Sequence, residues 1–411
     1  MKIKVCVLGL GYIGLPTSLL IANSGAKTLG FDIDKNKIES LNRGKLFFEE
    51  KSLKNLFNKV KKKNTFRADT KLENSDVFII AVPTPTKNGS ANLEYVYSAI
   101  NLIKPHFKKN NLIIIESTVG PRDCVDKIIP KIKKWNIKFK FAHCTERAIP
   151  GNTINEMVNN DRIIGGINQE SNLAAREIYS KFTKGNIYLT NTIIAATCKV
   201  MENTFRSTNI ALANEFAKLA KETDFDVWEA IELANKHPRV NIHSPGPGVG
   251  GHCIPIDPWF FVDGRNRNSI IKLGLEINKK TPQHVCNDIK FLINKHQLKQ
   301  PKIGILGYAY KKNVDDQRET PAKTIVNILR KNYIVFINDN HIKNTNFMGL
   351  NEVLSNTDVV VLITDHDEYR NINFSKYPNI KFIYDTRNLF TKNNFIKKST
   401  KLYKLGTKIN G

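Results

Sequence analysis

Long apolar segments are absent from the 411-residue sequence. No apolar run reaches the roughly 18 residues that a membrane-spanning helix needs. Residues 1–8 superficially resemble the start of a signal peptide, but the pattern breaks at Gly9 and Gly11 and no small-residue cleavage site precedes Pro16. We therefore predict a strand here, and we expect neither a signal peptide nor insertion into a membrane.

Closely spaced cysteines are absent too. The six cysteines stand at positions 6, 124, 144, 198, 253 and 286, with no CxxC pair and no short metal-ligand spacing. This spacing argues against a structural zinc site and against a disulfide framework. We expect a reduced, cytoplasmic protein that holds no metal.

Acidic residues are scarce: 38 Asp and Glu stand against 63 Lys and Arg, which gives a net charge of +25. Such a charge attracts polyanions, so nucleic acid and anionic membranes are alternatives. The lysines are nevertheless spread along the chain, and the one dense run, 59–63, is typical of a solvated helix end. We favour a small anionic ligand, such as a nucleotide-sugar, over nucleic acid.

The length and composition indicate a globular protein of two or three domains. A chain of 411 residues is too long for one ordinary core. Its 41% hydrophobic and 25% charged residues are typical of soluble proteins.

The first 34 residues predict a βαβ unit. An apolar strand at 3–8 enters the sequence GLGYIG at 9–14, a helix follows at 15–24, and a second strand at 28–31 ends at Asp32. The three glycines of this pattern permit a tight turn and close approach of a pyrophosphate to the helix N-terminus. A carboxylate at the second strand end suits the ribose hydroxyls and would repel a 2′-phosphate. The pattern therefore predicts NAD as cofactor, held by residues that include Gly9, Gly11 and Gly14.

The segments 76–86 and 112–118 each predict an apolar strand that ends in polar, turn-forming residues, and a further strand is predicted at 139–144. Ligands of open α/β sheets bind at the carboxyl ends of such strands, so Thr84 and Thr118 are candidate cofactor contacts. Capping of the following helices is the alternative for both. Glu146 and Arg147 follow the last strand and either face the cleft or are surface charges.

Residues 192–223 contain neither Pro nor Gly and predict one long helix. Lys199, Asn203 and Arg206 fall on one of its faces, at spacings of four and three residues. A solvated stripe is one interpretation. The other is a catalytic face that donates hydrogen bonds to a developing oxyanion or holds a water. The length also suits a subunit interface.

The segment 245–260, PGPGVGGHCIPIDPWF, contains four prolines and four glycines in sixteen residues. It therefore predicts a rigid loop in which the backbone packs closely. Cys253 follows a Gly-Gly pair, and Asp257 stands four residues later. A nucleophilic thiol fits this arrangement, while a small buried cysteine is the alternative.

A second α/β pattern begins at Pro301, with strands predicted at 302–309, 333–337, 358–363 and 380–384. Lys311, Arg318 and Arg387 lie near strand ends, where their side chains suit phosphate. We predict an α/β protein with two Rossmann-like, doubly wound parallel-sheet domains joined by a long central helix and an all-α middle region. The predicted boundaries are 1–185, 186–298 and 299–411.

Motifs throughout the chain resemble the UDP-glucose/GDP-mannose dehydrogenase family. They are GLGYIGLP at 9–16, AVPTP at 81–85, ERAIPG at 146–151, NDRIIGG at 160–166, KVMENTFR at 199–206, ANKHPRVNIHSPGPGVGGHC at 234–253, DPWF at 257–260 and DDQRETPA at 315–322. Such enzymes oxidise the C6 hydroxymethyl of a nucleotide-sugar to a carboxylate and reduce two NAD per turnover.

The resemblance implies a role for each matching residue. Cys253 resembles the nucleophile that forms a thiohemiacetal and then a thioester, and Lys199 with Asn203 resembles the proton-transfer and oxyanion pair. Asp257 would order the hydrolytic water and Glu146 would assist hydrolysis. The implied cofactor contacts include Tyr12, Ile13, Asp32, Thr84, Thr118 and Arg318. The implied substrate contacts are Arg147, Ala148, Lys199, Asn203, Arg206, His237, Arg239, Gly250, Tyr310, Lys311 and Arg387.

The resemblance further implies a homodimer built on the long helix, with Arg239 reaching the partner subunit's site. The stretches PGPGVGGHC and HPRVN favour UDP-N-acetylmannosamine as substrate for surface polysaccharide synthesis. Ile256 stands where UDP-glucose dehydrogenases carry Lys, which argues against glucose. Other UDP-sugars, a two-electron hydroxyacid dehydrogenase and a non-catalytic NAD-sensing or polyanion-binding protein remain as alternatives. The last two leave the Cys253 loop without a purpose.

Overall fold

The fold is that of a computed structural model, which describes residues 3–47, 50–87, 90–149, 151–262, 269–391, 394 and 400–409. The chain divides into two compact units. The first comprises Met1–Glu202 with Trp259–Gly264, and the second comprises Asn203–Pro258 with Arg265–Gly411.

Strands β1 to β15 are Lys4–Leu8, Lys27–Phe31, Phe66–Asp69, Val77–Ile80, Thr86–Lys87, Ser90–Ala91, Leu112–Ile115, Lys140–His143, Arg162–Gly166, Ile187–Asn191, Ile303–Leu306, Val335–Asn338, Val359–Leu362, Phe382–Asp385 and Lys401–Lys404. Helices α1 to α13 are Gly14–Asn23, Lys35–Asn42, Lys51–Lys63, Glu94–Ile103, Ile129–Lys133, Thr153–Asn159, Gln169–Tyr179, Thr192–Thr223, Val227–Ala234, Trp259–Val262, Ile270–Lys295, Pro321–Leu329 and Leu350–Ser355.

The first unit contains a sheet in the order β10-β9-β8-β7-β4-β1-β2-β3. The pairs from β3 to β8 are parallel, and β1 lies between β2 and β4, which places the topological switch point at their carboxyl ends. β9 pairs with β8 antiparallel, so the predicted parallel sheet changes direction at that pair. The predicted helical region begins at residue 186, but its first residues form β10, which pairs with β9.

Helices cover both faces of this sheet. Alternate residues of β1, β4 and β7 point to opposite faces, so each apolar strand supplies two cores. One core includes Phe78 and Ile113 with Ile100 of α4. The other includes Ile79 and Ile114 with residues of α1 and α7. This is the doubly wound arrangement that the continuous apolar strands predicted.

The second unit contains an all-parallel sheet in the order β12-β11-β13-β14-β15. Its switch point lies between β11 and β13, at the carboxyl ends that lead into residues 307–313 and 363–368. One face packs against buried residues of α11 and α12, together with Ala213, Ala217 and Ala220 of α8. The predicted second α/β sheet is therefore present.

Two sequence predictions about helices are confirmed. The long helix predicted over 192–223 is α8, with the same limits. The lysine run at 59–63 is the end of α3, where the last three lysines are exposed. In the described part of the chain, no helix combines the length and apolarity needed to cross a membrane.

Candidate active site

The glycine-rich turn after β1 is shaped for a ligand at one position. A Cβ on Gly14 would lie 1.9 Å from the carbonyl oxygen of Gly9, and Gly9 itself has a φ of 93°. These two glycines are needed for close packing within the protein. A Cβ on Gly11, by contrast, would meet no described atom within 4 Å. Gly11 therefore leaves open space beside the backbone, which fits the predicted approach of a pyrophosphate.

The N-terminus of α1 is available to an anion. Ile13 occupies the N-cap position and makes no side-chain cap hydrogen bond, and the first turn contains no acidic residue. Ile13 and Tyr12 are half-buried and pack against the cluster that contains Leu10 and Leu15. Unsatisfied N–H groups at a helix N-terminus attract phosphate, so this end fits the pyrophosphate of a dinucleotide.

Asp32 lies at the end of β2, buried, with a fixed carboxylate. Its Oδ2 accepts a 2.9 Å hydrogen bond from the amide of Leu10, and its Oδ1 accepts one of 3.0 Å from Asp34. The ammonium of Lys37 is 3.5 Å from Oδ2. The carboxylate therefore stands beside the glycine turn, where ribose hydroxyls are bound in dinucleotide-binding folds.

Thr84 and Thr118, which follow β4 and β7, are in direct contact. The hydroxyl of Thr84 donates a 2.6 Å hydrogen bond to the carbonyl oxygen of Thr118. The structure thus joins two predicted cofactor residues at the carboxyl edge of the sheet, next to the switch point.

Glu146 is buried, and both oxygens of its carboxylate accept hydrogen bonds. Oε1 accepts hydrogen bonds from the amides of Arg147 and Ala148, at 2.6 and 2.9 Å, and Oε2 accepts one of 2.7 Å from Arg162. Its proposed part in hydrolysis stays a prediction. What the contacts show is that Glu146 fixes the main chain at two predicted substrate residues.

Behind Glu146 lies a second buried carboxyl group. Glu116 accepts hydrogen bonds from Thr17 at 2.9 Å and Tyr179 at 3.1 Å, and Arg162 is 4.0 Å away. Burial raises the pKa of Glu116 from 4.5 to about 7, although Arg162 opposes the shift. The guanidinium of Arg162 also stacks on the ring of Tyr179, 4.6 Å from its centroid. Together these groups form a polar network that connects α1, β9 and α7.

Arg147 is held by Glu202 of α8. Its Nε and Nη2 contact the two carboxylate oxygens at 3.1 and 2.8 Å, and Nη1 donates to the carbonyl of Asp161 at 2.9 Å. Lys199 lies half-buried on α8, three residues before Glu202. Glu202 stands one residue before Asn203 on α8, and its partner is Arg147.

In the second unit, the glycines of the cysteine loop are in close contact with their surroundings. A Cβ on Gly246 would lie 2.7 Å from Nη1 of Arg387, and one on Gly250 would lie 2.7 Å from Cβ of Tyr310. Gly251, with a φ of 84°, faces the ring of Tyr310. An added side chain would have to displace these neighbours, so the backbone of the loop packs as closely as its composition predicted.

Cys253 is exposed, and Asp257 is buried one turn later. The amide of Asp257 donates a 2.8 Å hydrogen bond to the carbonyl of Cys253, which closes the turn. The carboxylate of Asp257 accepts a 2.6 Å hydrogen bond from the side chain of Asn203. Three predicted catalytic residues are thus connected, with the thiol on the accessible side.

Several predicted substrate residues of the second unit are exposed to solvent, and two others are half-buried. Arg206, His237 and Arg239 are exposed, and the amide of Arg239 donates to Nδ1 of His237 at 3.3 Å. Tyr310 and Lys311 are half-buried. Their contacts with a substrate stay predictions.

Two arginines of this unit have fixed guanidinium groups. Arg387 is half-buried and donates from Nε to the carbonyl of Ile363 at 2.9 Å, and burial lowers its pKa. Arg318 is exposed and paired with Asp316, with Nη2 at 2.6 Å from the carboxylate. Arg318 was predicted to contact NAD, and that contact stays a prediction.

Profiles of one family match the chain in three consecutive segments. The NAD binding domain of the UDP-glucose/GDP-mannose dehydrogenase family matches residues 3–183, its central domain 194–280 and its UDP binding domain 304–392. The chain belongs to this family. The resemblance inferred from the motifs is therefore confirmed, and so are the α/β fold and the cofactor, NAD.

Individual members of the family are similar over their whole length. The UDP-N-acetyl-D-mannosamine dehydrogenase of a Methanococcus maripaludis strain is 43% identical, with 98% of this chain and 97% of that protein aligned. The structure of UDP-D-ManNAc dehydrogenase from Pyrococcus horikoshii has a TM-score of 0.92 at 36% identity, covering 98% and 99% of the two chains. The UDP-N-acetyl-mannosamine dehydrogenase Cap5O of Staphylococcus aureus has a TM-score of 0.90 at 37% identity, covering 98% of each chain.

The residues that hold the predicted site residues in place had no role predicted from the sequence. Arg162 lies in the quoted NDRIIGG motif, but nothing local to it indicated Glu146 and Glu116 as partners. Asp339 and His366 stand in the segments NDNH at 338–341 and TDHD at 364–367, where Asp and His at the ends of predicted strands are the signal of a buried pair.

Proposed function

We propose that this family member oxidises C6 of UDP-N-acetyl-D-mannosamine to the carboxylate of UDP-N-acetyl-D-mannosaminuronate, in two NAD-dependent steps. The observation that carries the proposal is the exposed thiol of Cys253 on a loop whose glycines admit no side chain. A rigidly held thiol suits covalent capture of an aldehyde. A two-electron dehydrogenase has no use for it.

The chemistry assigned to the chain begins at C6. Gly11 and Asp32 of the first unit would hold NAD, which would supply the hydride acceptor for each of the two oxidations. Lys199, with Asn203 beside it, takes up the proton of the C6 hydroxyl group and stabilises the negative charge that develops on its oxygen. The thiolate of Cys253 adds to the aldehyde carbon, and the resulting thiohemiacetal becomes a thioester when it loses hydride. Water, ordered by Asp257, then displaces the thiol and leaves the carboxylate.

The choice of sugar rests on the relatives and on the sequence. The similar proteins named above act on UDP-N-acetyl-mannosamine, as their names state. Ile256, half-buried in the turn after Cys253, supplies no cation where UDP-glucose dehydrogenases carry Lys. The uronate product fits a surface polysaccharide, and the dependence on NAD fits a cytoplasmic location.

We also propose a homodimer. In the second unit, large apolar side chains are exposed along α8 and α11: Phe205, Leu212, Leu219, Ile270 and Leu273 have exposures of 58%, 46%, 40%, 72% and 57%. The two helices are neighbours there, because a Cβ on Gly274 would lie 3.4 Å from Cβ of Ala211. An apolar surface of this kind is typical of subunit interfaces. Leu212→Glu with Leu273→Glu should therefore lower the mass measured by light scattering.

The stoichiometry of the reaction tests the main proposal. Limiting UDP-N-acetyl-D-mannosamine with excess NAD should yield two NADH per sugar and no free aldehyde. UDP-glucose, UDP-N-acetylglucosamine and UDP-N-acetylgalactosamine serve as comparison substrates. One NADH per sugar with released aldehyde would remove the covalent mechanism, and turnover of another sugar alone would reassign the substrate.

Variants of Cys253 distinguish a role of the thiol in catalysis from a role in binding the UDP-sugar. Cys253→Ala should bind UDP-sugar normally but lose overall turnover by at least about a thousandfold, since the covalent route is closed. Cys198→Ala is the matched control, because it removes a cysteine outside the loop. Full turnover by Cys253→Ala and Lys199→Ala would contradict the mechanism.

A further inference from the structure

The loop that follows β11, residues 307–313, contains Tyr310 and Lys311 and is anchored at its start by one carboxylate. The amides of Tyr308 and Ala309 donate hydrogen bonds of 2.6 and 2.7 Å to Oδ2 of Asp339. The carbonyl of Ala309 accepts a 2.5 Å hydrogen bond from the hydroxyl of Thr364. The first residues of this β11 loop are therefore fixed by side chains that follow β12 and β13.

The end of the β11 loop is anchored by His366. Asn313 adopts a φ of 57°, and its amide donates a 2.9 Å hydrogen bond to Nδ1 of His366. The side chain of Asn313 also donates to Asp367 at 2.6 Å. A left-handed conformation costs energy for a residue other than glycine, and these hydrogen bonds stabilise it.

His366 connects the two ends of the loop. It is completely buried, and its Nε2 lies 3.0 Å from Oδ2 of Asp339, which is buried as well. Because Nδ1 accepts the amide hydrogen of Asn313, a neutral imidazole carries its proton on Nε2 and donates it to Asp339. The hydrogen bond from His366 lowers the pKa of Asp339, against the effect of burial.

A metal site at this position does not fit the geometry. Ligand atoms of His341, His366 and Glu368 lie within 4.8 Å of one another. The two imidazole rings, however, are stacked, with centroids 4.4 Å apart and planes inclined by 23°. Their in-plane lone pairs therefore run side by side rather than converge, and both nitrogens of His366 already have hydrogen-bond partners.

The β11 loop in turn supports the cysteine loop. Tyr310 packs against Gly250 and Gly251, where an added Cβ would come within 2.7 and 3.0 Å of it. The amide of Gly251 donates a 3.0 Å hydrogen bond to the carbonyl of Arg318. A displacement of Tyr310 would therefore also displace Gly250 and Gly251, which lie immediately before His252 and Cys253.

We propose that His366 and Asp339 are positioning residues for the UDP-sugar: they hold both ends of the β11 loop and thereby fix Lys311 and Tyr310. The inference rests on the proposed function and on the predicted contact of Lys311 with the UDP-sugar. His366 and Asp339 act through the loop and touch neither substrate nor cofactor.

Two conservative substitutions test the two hydrogen bonds of His366 separately. His366→Asn retains an acceptor near the position of Nδ1 but loses the donor to Asp339. His366→Gln retains a donor near Nε2 but loses the acceptor for Asn313. We expect each to raise the Kd for UDP, measured by calorimetry, and the KM for the UDP-sugar by at least about tenfold. The KM for NAD should stay within about twofold of the parent. Thr364→Val, which removes only the bond to Ala309, should give a smaller effect in the same direction.

His341→Gln is the matched control, because His341 stacks on His366 without a hydrogen bond to the β11 loop. It should leave the Kd for UDP unchanged. Thermal unfolding checks that each variant is folded, and Thr364→Val provides the test if His366 variants do not fold. If the parent chain binds UDP and the variants bind it equally well, the positioning role is wrong. If the parent does not bind UDP, the inference falls as well. If it binds UDP but forms no NADH from any UDP-sugar, only the proposed function fails.

Discussion

Asn203 and Asp257 are joined by a hydrogen bond of 2.6 Å, although 54 residues separate them in sequence. Both side chains are buried, with exposures of 5% and 3%. The bond fixes the orientation of the Asp257 carboxylate, while the backbone amide of the same residue closes the turn after Cys253. The residue proposed to stabilise an oxyanion thus also holds the residue proposed to order the hydrolytic water.

An acidic substitution of Asn203 should show whether this side chain contacts the carboxylate of Asp257. Asn203→Asp places two carboxyl groups against each other in a buried position, where they can share one proton but cannot both ionise without repulsion. The pKa of the pair is then raised in the folded state, so the variant should lose stability relative to the parent as pH rises from 5 to 8. Urea denaturation across that range measures the loss.

Asn203→Ala is the control for this prediction. It removes the donor without adding charge, so it should cost about 1–3 kcal/mol at every pH in the range. If the difference in stability between Asn203→Asp and the parent did not change with pH, Asp257 would not be close enough to interact with the new carboxyl group.

The glycines of the N-terminal turn should separate stability from cofactor binding. Gly14→Ala places a Cβ 1.9 Å from the carbonyl of Gly9, so it should lower the melting temperature sharply. Gly11→Ala meets no described protein atom within 4 Å, so the chain should remain as stable as the parent. Its Kd for NAD should nevertheless rise by about tenfold or more, because the methyl group occupies the space of the pyrophosphate. Calorimetry with NAD and thermal unfolding would distinguish the two variants, and equal NAD affinity of Gly11→Ala would contradict the assignment.

Local patterns in the sequence predicted elements well but predicted contacts poorly. Helix α8 was predicted with its observed limits, because no Pro or Gly interrupts it and both ends are polar. The nearness of Asp257 to Cys253 followed from their spacing of four residues in the sequence. The partners of Glu146 and Asp257 did not, since Arg162 and Asn203 lie 16 and 54 residues away and are brought close only by the fold.

The same limit explains why Arg147 was predicted as a substrate residue without its partner. The sequence indicated a cation at a strand end, and the structure supplies Glu202, whose carboxylate faces it at 2.8 Å. A charge pattern along a helix shows which residues share a face. It does not show which strand end lies opposite.

Asp32 and Lys37 should decide between NAD and NADP. In Asp32→Asn the acceptor for the amide of Leu10 is kept but the negative charge is lost. Lys37, which lies 3.5 Å from Oδ2 and is 35% exposed, then becomes available to a 2′-phosphate. We expect the Kd for NADPH, followed by fluorescence titration, to fall by at least about tenfold as a Coulombic effect near the surface. Adding Lys37→Ala should reverse the gain, and unchanged NADPH affinity in the single variant would contradict this assignment of Asp32.

Glu116 should make the first unit sensitive to pH. Its pKa is raised from 4.5 to about 7, first because burial penalises the charged form and second because Glu146 is near, while Arg162, Thr17 and Tyr179 oppose the shift. A carboxyl group with a raised pKa binds its proton more tightly in the folded state than in the unfolded state. Its contribution to stability is therefore complete below pH 4.5 and is lost as pH rises to 7. Above that pH no further loss arises from this group.

Glu116→Gln tests this directly, because the amide is uncharged at every pH and has nearly the same shape. As pH rises from 4.5 to 7, the parent should lose roughly 3 kcal/mol of unfolding free energy relative to the variant, at 1.36 kcal/mol per pKa unit. Glu170→Gln, on the exposed first turn of α7, is the control and should show no such change. A constant difference between parent and Glu116→Gln would mean that Glu116 is ionised throughout, and that Arg162 outweighs the cost of burial.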